Sequence, residues 1–210
     1  MRFVELQENT RQWRQWRHGG IGGSDAPVIC GVSRYSKVDA LWLAKRAPPR
    51  EPLDNERLAF GRGAEKLARD RYQEIVRSDA PSACAEHDEH PWLRASLDGW
   101  NAALELPVEL KAPRRRDHLT ALDGDVPRSF LPQCLHLLLV TGASRMHYAS
   151  LHLQAPAAEV FALVEVTRDP AALEQLFVVE EKFWEAIQRG DKAPKARPLD
   201  LSRVPTRRIA

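Results

Sequence analysis

SLDGW at residues 96–100 and VELKAP at 108–113 decide how this chain is read. In an extended strand, alternate side chains face opposite ways, so Glu109 and Lys111 share one face and Leu110 takes the other. Pro107 and Pro113 bracket the segment as a short element. Asp98-Gly99 and Asn101 supply turn chemistry, and a hairpin over this stretch puts Asp98 beside Glu109. Two carboxylates and an ammonium then meet at one end of a small sheet. An exposed Glu/Lys pair is the ordinary reading and stabilises little. The sharper reading is a divalent-metal site. Close carboxylates repel unless a proton or a cation lies between them, and hard oxygen donors suit Mg²⁺ or Mn²⁺.

Working outward, short strands are expected over about 84–90, 92–97 and 107–112. The N-terminal 20 residues read as helix, and GGIGGSDAPVICG follows as a flexible loop with Ser24 as a helix N-cap and Asp25 in the first turn. Ser36 is expected to cap KVDALWLAKR, which ends at the breaker APPREP (47–52). A longer helix is expected from Asp54 to Arg77, on the spacing of Leu58, Ala64, Leu67, Ala68, Tyr72 and Ile75. Gly61 and Gly63 weaken its start and place Glu65 near a kink or an N-terminus. RRRDHLTALDGDVPRS reads as a mobile connector. PQCLHLLLVTG makes a buried helix from Pro132 to about Gly142. RMHYASLHL and AEVFALVEVT read as strands. An amphipathic helix covers 170–189, with Leu173, Leu176, Phe177, Phe183, Trp184 and Ile187 as its apolar side. The fold class is therefore α/β or α+β, with a domain over 1–190 and a basic, Pro-rich tail over 191–210.

The chain has 210 residues, 43% hydrophobic and 29% charged, which suits one globular domain. No apolar run approaches the ~20 residues that cross a bilayer, and the N-terminus is too polar for a secretory signal, so a cytoplasmic location is expected. Cys30, Cys84 and Cys134 are too few and too scattered for a disulfide framework or an iron–sulfur cluster. Cys84, His87 and His90 suggest zinc by spacing but lack a second pair of ligands. The net charge of +2 conceals basic ends, +5 over 1–50 and +4 over 191–210, around a centre of −7. That distribution suits a polyanion held at the ends and cations in the middle, although solvated faces account for it equally.

The ordered series WRHGGIGGSD, GRGAE, SLDGW, VELKAP and PQCLHLLLVTG resembles the phage lambda-type alkaline exonuclease, or YqaJ-like viral recombinase, family of the PD-(D/E)XK nuclease superfamily. The resemblance covers about Trp13 to Gly142. It implies a restriction-endonuclease-like core, a central mixed β-sheet flanked by helices. It implies that Asp98, Glu109 and the carbonyl of Leu110 bind one or two Mg²⁺ ions, with Mn²⁺ as a substitute, and that Lys111 orients the attacking water. Glu65 then completes the acidic cluster, Gln133 braces the lysine and water, and Asp88 binds metal or its waters. Arg17, Ser24 and Ser96 match a pocket for a terminal 5′-phosphate. A further family arginine follows the lysine motif. Arg114, Arg115 and Arg116 compete for that role, with Arg116 the candidate taken, while simple counting puts Asp117 there.

The implied activity is 5′→3′ digestion of one strand of linear double-stranded DNA to 5′-mononucleotides. It implies double-stranded DNA ends as substrate, a single-strand annealing protein as partner, a ring-shaped homotrimer and a phage or prophage origin. Two other readings stay open: a non-catalytic DNA-end scaffold and a site-specific endonuclease.

Overall fold

The computed structural model describes residues 1–49 and 56–210, with side chains from Gly63 onward in the second of these segments. The elements in chain order are β1 (Arg2–Val4), α1 (Arg11–His18), β2 (Ile21–Gly22), α2 (Ala26–Ile29), α3 (Val38–Arg46), α4 (Glu56–Val76), β3 (Ala83–Glu86), β4 (Leu93–Leu97), β5 (Gly99–Asn101), β6 (Leu106–Lys111), α5 (Arg115–Leu122), α6 (Leu131–Thr141), β7 (Arg145–Leu151), β8 (Phe161–Thr167), α7 (Pro170–Arg189) and β9 (Thr206–Arg208). A 3-10 turn at Ala157–Glu159 lies between β7 and β8.

Two mixed sheets result. The first runs β1-β3-β4-β2 and the second β5-β6-β7-β8-β9. β6 pairs in parallel with β7, while β5 with β6, β7 with β8 and β8 with β9 are antiparallel. The chain passes from the first sheet to the second between β4 and β5, and Asp98 is the single residue at that crossing.

Helices cover both faces of the second sheet. Ala68 and Tyr72 of α4 pack with Leu106, Val108, Leu110, Ala149, Leu151 and Leu163 on one side. Leu135 and Leu138 of α6 and Leu173 and Phe183 of α7 pack with Met146, Tyr148, Val164 and Val166 on the other. Alternate residues of β7 and β8 thus enter different cores, which is why both strands read as nearly unbroken apolar runs.

Several elements depart from expectation for physical reasons. The N-terminus is not one helix: β1 pairs with β3, and α1 starts only after Thr10, whose side chain accepts the N–H of Trp13. Ser24 is not a helix cap; Asp25 takes the N-cap position of α2 without a side-chain cap bond. Lys37, not Ser36, precedes α3. Glu65 lies well inside α4 rather than at a kink, while the expected start of that helix at Asp54 and residues 50–52 of the breaker lie outside the described residues. The connector after Pro113 contains α5. Its polar residues are buried because each has a partner: Asp117 binds Arg34, and His118 bridges Ser150 Oγ (2.8 Å) and the Glu159 carbonyl (2.6 Å). In the segment after Gly190, Leu199 and Val204 are buried in the main core, and β9 adds an edge strand to β8.

Candidate active site

The carboxylates come together because β4 and β5 deliver Asp98 to the side of β6. Asp98 Oδ2 accepts the backbone N–H of Leu110 (2.8 Å), tying the crossing residue to the middle of the VELK strand. Leu110 turns into the core shared with α4, so Glu109 and Lys111 face α6. Glu109 is fully buried. Its Oε1 accepts from Lys111 Nζ and, at 2.6 Å, from Gln133 Nε2 on α6. Its Oε2 is buried with no hydrogen-bond partner among the described residues.

That orphan oxygen is the main electrostatic feature of the site. A buried carboxylate without full compensation is costly. Burial, with the charge of Asp98 adding to it, pushes Glu109 up to about 8, against the opposing pull of Lys111. Burial works against the Lys111 charge, yet Glu109 and Asp98 outweigh it and hold the ammonium above its usual range. At neutral pH the pair Asp98/Glu109 therefore calls for a proton or a cation. The donor set is hard oxygen, one donor is unsatisfied, and the repulsion is of the kind a divalent ion relieves. The chemistry of this pair suits Mg²⁺ or Mn²⁺, although among the described residues no three acidic, His or Cys side chains gather into a metal-binding group.

Glu65 joins the acidic edge from α4. Burial raises its carboxyl, with Asp98 and then Glu8 adding negative charge, while Arg69 opposes them. Arg69 is a residue that the motif spacing did not single out. It grips Glu65 Oε1 (2.9 Å), the carbonyl of Ala80 (2.7 Å) and the carbonyl of Asp98, so one guanidinium fixes α4, the turn after it and the strand crossing. Its i,i+4 spacing from Glu65 was the available signal. Asp88 is not brought to this cluster. It lies beyond β3 in the turn before β4, at the opposite end of β4 from Asp98, and binds the terminal ammonium of Met1 at 2.6 Å. That contact holds its carboxyl below the usual range.

Arg17, Ser24 and Ser96 gather around Trp13. The Arg17 guanidinium lies 4.6 Å from the Trp13 ring centre and donates to Ser24 Oγ at 3.0 Å. Trp13 Nε1 donates to Ser96 Oγ (3.1 Å), and the Ser96 hydroxyl donates to Glu8 (2.7 Å). Lys45 braces the glycine loop from below, reaching Asp25 Oδ2 (2.7 Å) and the Gly20 carbonyl (2.6 Å). Burial alone would raise Asp25, but Lys45 and the N–H of Gly22 carry it below its usual range. A side chain at Gly20 would collide with the Trp92 carbonyl oxygen, so glycine is what lets β2 lie against β4. Arg116 stands apart from this group, on α5, beside a cavity of about 730 Å³ that Arg34, Asp117 and Arg128 also line. Cys84 is buried in β3, while His87 Nδ1 accepts the N–H groups of Glu89 and His90 and so serves the turn, and among the described residues these side chains form no metal-binding group.

A model of the YqaJ-like viral recombinase domain matches residues 12–144, more than half of the chain. The chain belongs to the YqaJ-like viral recombinase family. It is 26% identical over 189 residues to the uncharacterized protein YqaJ of Bacillus subtilis strain 168, covering 87% of this chain and 58% of that relative. This YqaJ-like chain thus spans little more than half the length of that curated relative. Among solved structures it is similar to the alkaline exonuclease LHK-Exo of Laribacter hongkongensis, with a TM-score of 0.74 and 18% identity over 86% of this chain and 94% of that one. The same enzyme solved with dAMP matches equally well. The fold of the YqaJ-like domain is therefore the restriction-endonuclease-like PD-(D/E)XK fold, with the expected mixed sheet flanked by helices and a second, four-stranded sheet beside it. No helix among the described residues is long and apolar enough to cross a membrane.

Proposed function

We propose that this chain is a Mg²⁺-dependent 5′→3′ exonuclease that digests one strand of linear duplex DNA from 5′-phosphorylated ends. The observation that carries the reading is the buried Glu109, with one oxygen on Lys111 and Gln133 and the other unpartnered, next to Asp98. Membership of the viral recombinase family and the likeness to an alkaline exonuclease, one form of which was solved with dAMP, support it.

Asp98, Glu109 and the carbonyl of Leu110 would hold the ion, with Glu65 adding negative charge from α4. Bound there, a divalent cation supplies charge neutralisation at the phosphate and lowers the pKa of water. The protein's own part is positional. Lys111 stays protonated between Glu109 and Asp98, so it orients water and stabilises charge at the phosphate rather than acting as a free-amine base. Gln133 fixes the Glu109 carboxylate from α6, and Arg69 fixes the Asp98 backbone from α4. Arg17 and Ser24 suit a terminal phosphate, since a guanidinium matches phosphate geometry. Cutting at the first linkage leaves a new 5′-phosphate, so each product end is the next substrate. The exposed 3′ strand would pass to a single-strand annealing protein, and a ring of three copies would keep the enzyme on DNA in the cytoplasm.

The test is linear duplex DNA carrying a 5′-phosphate or a 5′-hydroxyl, with Mg²⁺ or with EDTA, and Lys111→Ala as control. Mononucleotides released only with Mg²⁺, faster from phosphorylated ends and reduced about 10²–10³-fold in the variant, are expected. Equal cutting of closed circles would favour an endonuclease. End binding with no hydrolysis in Mg²⁺ or Mn²⁺ would leave a scaffold.

A further inference from the structure

A cavity of about 290 Å³ opens directly beside the catalytic strand. Lys111 and Gln133 line it together with Ser24, Ser129, Phe130 and Arg34. Arg34 comes from the loop between α2 and α3, nine residues after the WRHGGIGGSD motif and outside every motif described above. Its Nη1 and Nη2 donate to the two oxygens of Asp117 at 2.6 and 3.0 Å. Asp117 lies in the first turn of α5, six residues after Lys111, so the guanidinium is referenced to the end of β6 by a short, ordered path. The side chain of Asp117 is 7% exposed, whereas that of Arg34 is 47% exposed. The aspartate is a buried anchor, and the arginine is the part that solvent and ligands reach.

The chemistry of the pair follows from donor counting. A guanidinium carries five N–H donors, and an end-on grip by one carboxylate uses two of them. Three remain for another anion. Within the same cavity Ser129 Oγ is buried without a hydrogen-bond partner among the described residues, a hydroxyl available to a ligand oxygen. Arg34 also lines the neighbouring 730 Å³ cavity, where Arg116 and Arg128 stand. It therefore forms the wall between the catalytic cavity and this larger basin, whose arginines are matched by Asp117, Asp125 and Asp200.

We propose that Arg34, aimed by Asp117, binds a phosphate of the DNA strand entering the catalytic cavity, with Ser129 as a second donor. This rests on the nuclease reading and extends it to residues outside its motifs. It also accounts for the aspartate that stands where the family resemblance leads one to expect an arginine: Asp117 draws a guanidinium in from a different loop. Asp117 is a positioning residue here, and Arg34 is the one that touches substrate.

The experiment measures binding of 5′-phosphorylated and 5′-hydroxyl duplex by fluorescence anisotropy across a salt series, with Ca²⁺ in place of Mg²⁺. The variants are Arg34→Ala, Arg34→Lys and the double change Arg34→Gln/Asp117→Asn. The double variant avoids leaving Asp117 as a lone buried charge, and melting curves verify that each protein folds. The expected result is about tenfold weaker binding and a log–log salt slope reduced by about one. Arg34→Lys is expected not to restore affinity, because an ammonium cannot satisfy Asp117 bidentately and still reach the ligand. A loss confined to phosphorylated ends assigns the contact to the terminal phosphate, and an equal loss on both ends assigns it to an internal linkage. A folded double variant with wild-type affinity and salt slope overturns the proposal. Wild-type protein that binds ends but does not hydrolyse them in Mg²⁺ sinks the exonuclease reading alone, since the binding comparison stands without it.

Discussion

At the scale of single residues, the site is governed by what Glu109 cannot satisfy. Its Oε1 has two donors and its Oε2 none among the described residues, and burial together with Asp98 raises its carboxyl to about 8. A carboxyl whose folded pKa lies above its unfolded value gives stability below the unfolded pKa and loses it as pH rises through the folded one. Without metal, this contribution falls between about pH 4.5 and 8. Glu109→Gln keeps the shape and removes the charge, so in EDTA at pH 8 its melting temperature is expected to exceed that of the wild type by a few degrees, at about 2–4 °C per kcal/mol for a domain of this size. Added Mg²⁺ is expected to raise the wild-type melting temperature and leave the variant's unchanged. A variant that melts lower than the wild type in EDTA at pH 8 would contradict the assignment of strain to this carboxylate. Period-two alternation made the shared face of Glu109 and Lys111 legible, and the turn residues after Asp98 pointed to a hairpin that brings it beside them. The pattern left Arg34 unread, because its contact with Asp117 is purely tertiary, and it left Arg69 unread because the i,i+4 spacing from Glu65 does not reveal the second grip on the Asp98 carbonyl.

At the scale of elements, the strand register places a polar chain under the second sheet. Val108 of β6 pairs with His147 of β7, and His147 is 4% exposed. The His147 Nδ1 lies 2.9 Å from Tyr72 OH on α4, and Asn101 of β5 donates to that same oxygen at 3.2 Å. If Asn101 supplies the N–H, the tyrosine hydroxyl is free to donate, and His147 accepts as a neutral imidazole. Burial depresses His147 to about 4, with Glu165 opposing at 4.0 Å. A base depressed in the folded state binds fewer protons than the unfolded chain between about pH 4 and 6.5, so stability is lost as pH falls through that window. The loss amounts to at most about 3 kcal/mol, at 1.36 kcal/mol per unit. Urea titrations of wild type and His147→Gln at several pH values are expected to show a shallower acid decline in the variant, and parallel curves would count against this role. The helices at 131–141 and 170–189 were readable because apolar period and terminal Gly142 and Gly190, both at positive φ, agree. Helix α5 was not, because its buried face consists of Asp117, His118 and Ala121, and only their partners make burial affordable.

At the scale of the whole molecule, the chain closes its second sheet with its last residues. The segment after α7 carries Leu199 and Val204 into the main core, and β9 pairs Thr206, Arg207 and Arg208 with β8. Arg207 also reaches Glu165 at 2.7 Å, beside Arg145 on the same carboxylate at 3.2 Å. Composition points to a basic tail because prolines and arginines dominate the segment, and two buried side chains in twenty leave no period to detect. Their packing has a measurable consequence. Ending the chain after Gly190 uncovers the β8 edge and removes both apolar anchors, worth about 1.5–3 kcal/mol each when fully buried. The expected outcome is a melting temperature lowered by roughly 6–24 °C at about 2–4 °C per kcal/mol, or recovery only as aggregate through the open strand edge. Leu199→Ala with Val204→Ala, in the full-length chain, separates the two causes because it removes the anchors and keeps the strand. If the truncated protein melts with the wild type, the segment adds nothing to the core. If the double variant alone reproduces the loss, the anchors rather than the edge pairing hold the end of the chain. The same segment supplies Leu199 and Thr206 to the basin that Arg34 borders, so loosening it is expected to weaken DNA binding as well as stability.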